Sequence, residues 1–147
     1  MPHAEKTITV DVPETFFKSL VHHVELYPEI LKDVRSARVL RREAGTTDAV
    51  FTIRAVRPFD YTIRIIEQSP QAIEWTLLMS KTLKVNNGGW RFEALSPGQT
   101  RVTYWNEVEA RLLVPKAIIN MILRVNLPSM MRQWESYALK AYAASKA

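Results

Sequence analysis

At 147 residues the chain is long enough for one domain with a sizeable core and too short for two, and its 47% hydrophobic, 24% charged composition is that of a soluble globular protein. It contains no cysteine, which excludes disulfides, thiol catalysis and thiolate zinc sites, and no window approaches the roughly 18 consecutive apolar residues of a membrane-spanning helix. Lys plus Arg (20) exceed Asp plus Glu (15), a net +5 that suits RNA, a ribosome or anionic lipid headgroups and equally an ordinary solvated face.

The first residues, Met1-Pro-His-Ala-Glu-Lys, lack the charged-then-apolar order of a secretory signal, so a cytoplasmic location is expected. Lys6 to Val12 alternates Ile8, Val10 and Val12 against polar residues and reads as a half-buried strand. Pro13-Glu14 then opens a helix whose apolar face is Phe16, Phe17, Leu20, Val21 and Val24. Tyr27-Pro28 ends that run, because the proline ring disfavours helical geometry in the residue before it. A short turn at Glu29-Ile30-Leu31 precedes the next strand.

From Val34 to Leu113 the period falls to two. Strands are predicted at about Val34–Glu43, Asp48–Arg57, Phe59–Gln68, Ala72–Ser80, Leu83–Leu95 and Gln99–Leu113, separated by turn signals such as Ala44-Gly45-Thr46-Thr47 and Ser96-Pro97-Gly98. Connections this short predict an antiparallel meander. Asn87-Gly88-Gly89 within the fifth of these runs predicts a bulge or bend that curls the sheet.

Alternation assigns one face to Phe51, Ile53, Ala55, Phe59, Tyr61, Ile63, Ile65, Ile73, Trp75, Leu77, Met79, Trp90, Phe92, Val102, Tyr104, Asn106, Val108, Ala110 and Leu112. The other carries Thr, Arg and Glu, as expected of a sheet with one solvated side. Trp105 falls on the polar side, marking either a contact surface or a shifted register.

The last segment, Val114 to Ala147, reads as one long helix interrupted at Pro128, with Ile118, Ile122, Val125, Met130, Trp134, Tyr137, Ala138 and Ala141 on one stripe. Bending at Pro128 would let its halves move and admit a ligand. The economical arrangement is an α+β fold in a single domain spanning 1–147. A curved antiparallel β-sheet of about seven strands wraps the long C-terminal α-helix, with one or two short helices after the first strand.

Catalytic constellations are not evident. His22 and His23 are neighbours on a helix, about 100° apart, and cannot clamp one metal as an i, i+4 pair does. Carboxylates such as Glu74, Glu93, Glu107 and Glu109 fall on the polar face, leaving general acid/base chemistry without a buried carboxylate. No nucleophile elbow, phosphate loop or dinucleotide fingerprint occurs, and no catalytic residue, cofactor or metal is expected. The inner polar groups are Tyr61, Tyr104, Asn106, the indoles of Trp75, Trp90 and Trp134, and Arg57 near a strand end. They are compatible with a sparse-polarity ligand pocket or with plain core packing.

Tyr27-Pro28-Glu29-Ile30-Leu31, with Val21 and Val24 at matching spacing, is similar to a segment of the START-like, or helix-grip, superfamily in its polyketide cyclase/dehydrase and coenzyme Q-binding branch. Gly89-Trp90-Arg91-Phe92 followed by Gly98 to Tyr104 resembles that branch's last two strands, so the likeness covers nearly the whole chain. His23, Ile30 and Lys32 depart from the pattern of its quinone-binding and ribosome-association toxin members. The resemblance implies a hydrophobic cavity between sheet and helix for a lipid, quinone or polyketide-like molecule. Its expected lining is Phe51, Ile53, Tyr61, Ile63, Trp75, Leu77, Trp90, Phe92, Tyr104, Asn106, Met130 and Trp134. Two alternatives accompany this expectation: a cyclase or aromatase working by substrate positioning, and a ribosome-associated module using the Lys32 to Arg64 cations. A ribosome or an anionic membrane surface is the expected macromolecular partner, and DNA is not.

Overall fold

The computed structural model describes residues 3–55, 57–123 and 127–146, with the side chains of 120–123 excepted. Seven strands form one antiparallel sheet: β1 (His3–Val10), β2 (Val34–Glu43), β3 (Thr46–Ile53), β4 (Phe59–Ser69), β5 (Ala72–Met79), β6 (Leu83–Ser96) and β7 (Gln99–Ala110). Their spatial order is β1-β7-β6-β5-β4-β3-β2, a meander from β2 to β7 onto whose free edge β1 pairs. Between β1 and β2 the chain forms α1 (Glu14–His22), a single 3₁₀ turn (Val24–Leu26) and α2 (Tyr27–Ile30). After β7 come α3 (Lys116–Leu123) and α4 (Leu127–Ser145).

Pro13 is the N-cap of α1, and Glu14 in its first turn complements the helix dipole. The α1 face Phe17, Leu20 and Val21 is buried against the concave side of the sheet. There the Phe17 ring lies 5.9 Å from Trp90, 6.2 Å from Phe92 and 5.9 Å from Trp134 of α4. Edge-to-face and tilted ring pairs at such distances add about 0.5–1.5 kcal/mol each beyond burial. This aromatic knot, with Val10, Val12, Ile73, Val102, Met131 and Ala138, closes one end of the space between sheet and α4.

Several expectations are corrected. The C-terminal segment is described as two helical stretches, Lys116–Leu123 and Leu127–Ser145, with Pro128 near the start of the second, and the junction between them, where the interruption expected at Pro128 would show, lies outside the described residues. Val125 lies outside the described residues, as do the side chains of Met121 and Ile122. Met131 joins Trp134 and Ala138 on the buried stripe, while Met130 is half-buried beside it. β7 ends at Ala110, so Leu112 is exposed, and Met79 at the end of β5 is exposed as well. Arg57 follows β3 and is exposed. β1 begins at His3, ahead of the Lys6 start read from the alternation, and stops at Val10, short of Val12.

Trp105 does face outward, and the register explains why an indole sits there. Gly89 pairs directly with Trp105, and a Cβ on Gly89 would come within 2.5 Å of the Trp105 Nε1. The indole lies flat over the glycine and stacks on His3 at 6.0 Å. Gly88 does the same on the inner face, where a Cβ would overlap the Trp75 ring. The paired glycines let one tryptophan close against each face of β6.

Candidate ligand cavity

Beyond the aromatic knot, the sheet and α4 stand apart around a cavity of about 610 Å³. Of the residues the sequence nominated, Phe51, Ile53, Tyr61, Ile63, Trp75, Trp90, Tyr104, Asn106, Met130 and Trp134 line it. Leu77 and Phe92 do not. Leu77 packs between the main core and a smaller cluster of Phe59, Leu83 and Ile118, while Phe92 is buried beside Phe17. The sequence reading missed Tyr27, Asn86, Ser129 and Gln133, all on the wall. Asn86 was within reach of the alternation rule, four residues before Trp90 on the same face.

Several polar groups on the wall are paired with one another or with the backbone. The indole N–H of Trp75 donates to Asn86 Oδ1 at 3.1 Å. Burial pushes the Tyr61 phenol up to about 12, with the nearby Asn86 amide opposing the shift. Burial likewise raises Tyr104, with the neighbouring Tyr61 adding to the effect, and raises Tyr27. The accessible surface of these phenols faces the cavity rather than bulk water, so all three remain protonated hydrogen-bond donors at neutral pH. Tyr27 donates to the Val21 carbonyl at 2.6 Å, and its ring meets Trp134 edge-on at 5.1 Å and Phe51 at 5.4 Å. Asn106 Nδ2 reaches Tyr104 Oη at 3.5 Å, the weak limit of such a bond.

The mouth lies where the α2–β2 turn, α3 and the start of α4 converge. The Lys32 backbone N–H donates to Gln133 Oε1 of α4 at 2.9 Å, and the Arg54 N–H donates to the Asp33 carbonyl at 2.8 Å. The turn is therefore tied to α4 on one side and to the end of β3 on the other. Lys32 and Asp33, the charged residues on the wall, are exposed at this mouth. Deeper in, the lining supplied by the described residues is apolar, aromatic, phenolic or amide.

Among the described residues no group of three or more His, Asp or Glu is placed to hold a metal ion. His22 turns to Glu67 at 3.0 Å while His23 faces Glu25 at 4.0 Å, so the pair diverges. In the Lys32 to Arg64 stretch, Arg42 pairs with Glu25, Arg64 with Asp48, and Arg41 with Glu43 and Asp48. No helix among the described residues is long and apolar enough to cross a membrane.

A curved antiparallel sheet gripping a C-terminal helix over an apolar cavity defines the helix-grip class. Residues 13–135 match the family model described as polyketide cyclase/dehydrase and lipid transport, and the chain belongs to that family. No curated protein matches it by sequence. Among solved structures it is similar to the Zhui aromatase/cyclase from Streptomyces sp. R1128, at 17% identity and TM-score 0.81, covering 95% of this chain and 94% of that one. It is also similar to a START superfamily protein from Mycobacterium smegmatis, at 15% identity and TM-score 0.81, covering 95% and 98%. A third, the STAR-related lipid transfer protein from Xanthomonas axonopodis, aligns at 12% identity and TM-score 0.73, covering 92% and 85%. The family thus contains both enzymes and lipid carriers, and the structural likenesses establish the fold.

Proposed function

We infer that the chain binds and carries a neutral, hydrophobic small molecule bearing one or two hydrogen-bonding oxygens, of the lipid, quinone or polyketide-like kind. The observation that carries this reading is the composition of the wall: about 610 Å³ of space whose interior, among the described residues, has no ionised side chain and a few amide and phenol groups. That volume lies within the roughly 300–1,000 Å³ usual for small-molecule sites, and a mostly apolar lining with sparse polar groups is their usual design. A carboxylate or phosphate would be buried there without a countercharge, at a cost of several kcal/mol. A carbonyl or hydroxyl can instead exchange the long Asn106–Tyr104 bond for a better one.

A carrier role is favoured over catalysis because the described residues of the interior include no carboxylate or imidazole to move a proton. An aromatase or cyclase remains the second reading, supported by the protonated phenols of Tyr61 and Tyr104, which can polarise a substrate carbonyl. The experiment is organic extraction and mass spectrometry of the purified protein, with tryptophan-fluorescence titration using a quinone and a long-chain alcohol. Copurified neutral lipid or saturable quenching supports the reading. An empty protein that responds to neither ligand sinks it, and turnover of a poly-β-ketone substrate replaces it with the enzymatic one.

A further inference from the structure

The end of the sheet that holds the cavity mouth carries a feature the cavity does not explain. Leu112 is 94% and Leu113 102% exposed. They occupy the central positions of a turn closed by the Val114 N–H on the Arg111 carbonyl at 3.4 Å. Leu113 has φ 71°, a left-handed conformation that turns normally give to Gly or Asn. Solubility and backbone preference both argue against paired leucines here. Such an outlier is a pointer to function.

The turn is held in place. Arg111 Nε donates to the Ser80 carbonyl at 2.9 Å, and the Arg111 N–H donates to the Thr82 carbonyl at 2.9 Å. Ser80 Oγ in turn donates to the Asp60 carbonyl at 2.8 Å. The leucines therefore share a fixed tip with the β5–β6 turn, where Met79 is 69% exposed. Around them stand the exposed cations Arg57, Lys81, Lys84, Arg111 and Lys116, opposed by Asp60 and Glu109.

We propose that this tip docks the protein on an anionic phospholipid bilayer, with Leu112, Leu113 and Met79 entering the interface and the surrounding cations facing lipid headgroups. Apolar side chains ringed by Lys and Arg match the two layers of such an interface, acyl boundary and negative headgroup. A nucleic acid would use the cations and leave the leucines in water. In this pose the cavity mouth, built from the same end of β2, β3 and β4, faces the bilayer. The inference stands apart from the identity of any cavity ligand, because docking is read without one.

The test is sedimentation of the full chain with vesicles of phosphatidylcholine alone or of equal parts phosphatidylcholine and phosphatidylglycerol. The expected result is binding to the anionic vesicles, weakened as ionic strength rises from about 0.1 M to about 1 M and screening contracts from ~10 to ~3 Å. The double variant Leu112→Asn/Leu113→Asn, whose asparagines suit the left-handed turn, should lose about tenfold or more of that binding with an unchanged thermal midpoint. Vesicle binding equal to wild type in this variant would overturn the proposal. So would wild-type protein that stays in the supernatant, whether or not the leucines prove to mediate self-association or ribosome binding.

Discussion

The indole of Trp75 and the amide of Asn86 meet at 3.1 Å across the line where β5 and β6 stop pairing. The β5–β6 ladder runs from Ala72–Arg91 to Trp75–Gly88 and goes no further, so toward the mouth the two strands diverge. A side-chain hydrogen bond continues where the backbone ladder ends, and it stands on the cavity wall. Under the proposed function, stability and binding are coupled at this point.

Asn86→Leu removes the acceptor for a buried indole N–H. An orphaned buried polar group costs about 1–3 kcal/mol, so urea unfolding should show a loss of that size. Trp75 emission should shift as well. An unchanged midpoint with unchanged emission would remove the coupling.

Gly88→Ala places a methyl group where the Trp75 ring lies. Neither the ring nor the strand can yield freely, because the neighbouring Trp105 carbonyl is 2.6 Å from the same position. The expected outcome is a folded protein destabilised by about 1–3 kcal/mol, with the cavity reshaped and ligand-induced quenching lost. Thermal melts and fluorescence titration check the two halves.

Trp134→Ala should be the most damaging single truncation. Its indole is 1% exposed and contacts Phe17, Tyr27 and Trp90, joining α4 to α1, α2 and the sheet. Large aromatic to alanine changes of this kind cost about 3–5 kcal/mol, measurable by denaturant titration.

The pH dependence follows from the phenols. The Tyr61 pKa rises from 10.0 to about 12 in the fold, so the unfolded chain loses this proton first. The contribution is fully present below about pH 10 and is lost as pH rises toward 12. Stability should fall across that window, and phenolate absorbance should show buried tyrosines titrating late. Affinity for a neutral ligand should stay flat across neutral pH, because the described residues of the deep wall include no group that ionises there.

How far the sequence foretold this arrangement depended on whether a face met water. Strands β3, β4, β6 and β7 were legible because one side is solvated and the period of two survives. Leu112 and Met79 were misplaced because alternation continues on paper after the strand has ended or left its neighbours. Leu77 and Phe92 were correctly put on the inner side, yet packing sent them into filled core rather than the cavity, which periodicity does not distinguish. Trp105 looked anomalous because its explanation, Gly89 lying opposite, is a matter of register between strands, and register is set by turns and bulges elsewhere.

The most direct test of a ligand cavity is to fill it. Val108 lines the cavity and is half-buried, so Val108→Trp adds bulk from the wall with room to accept it. Isothermal titration of wild type and variant with the ligand recovered by extraction, or with a quinone, compares them. Saturable binding to wild type and at least tenfold weaker binding to a variant with wild-type far-ultraviolet circular dichroism is the predicted result. Equal binding by both proteins would contradict the account, because the ligand would then sit somewhere other than between the sheet and α4.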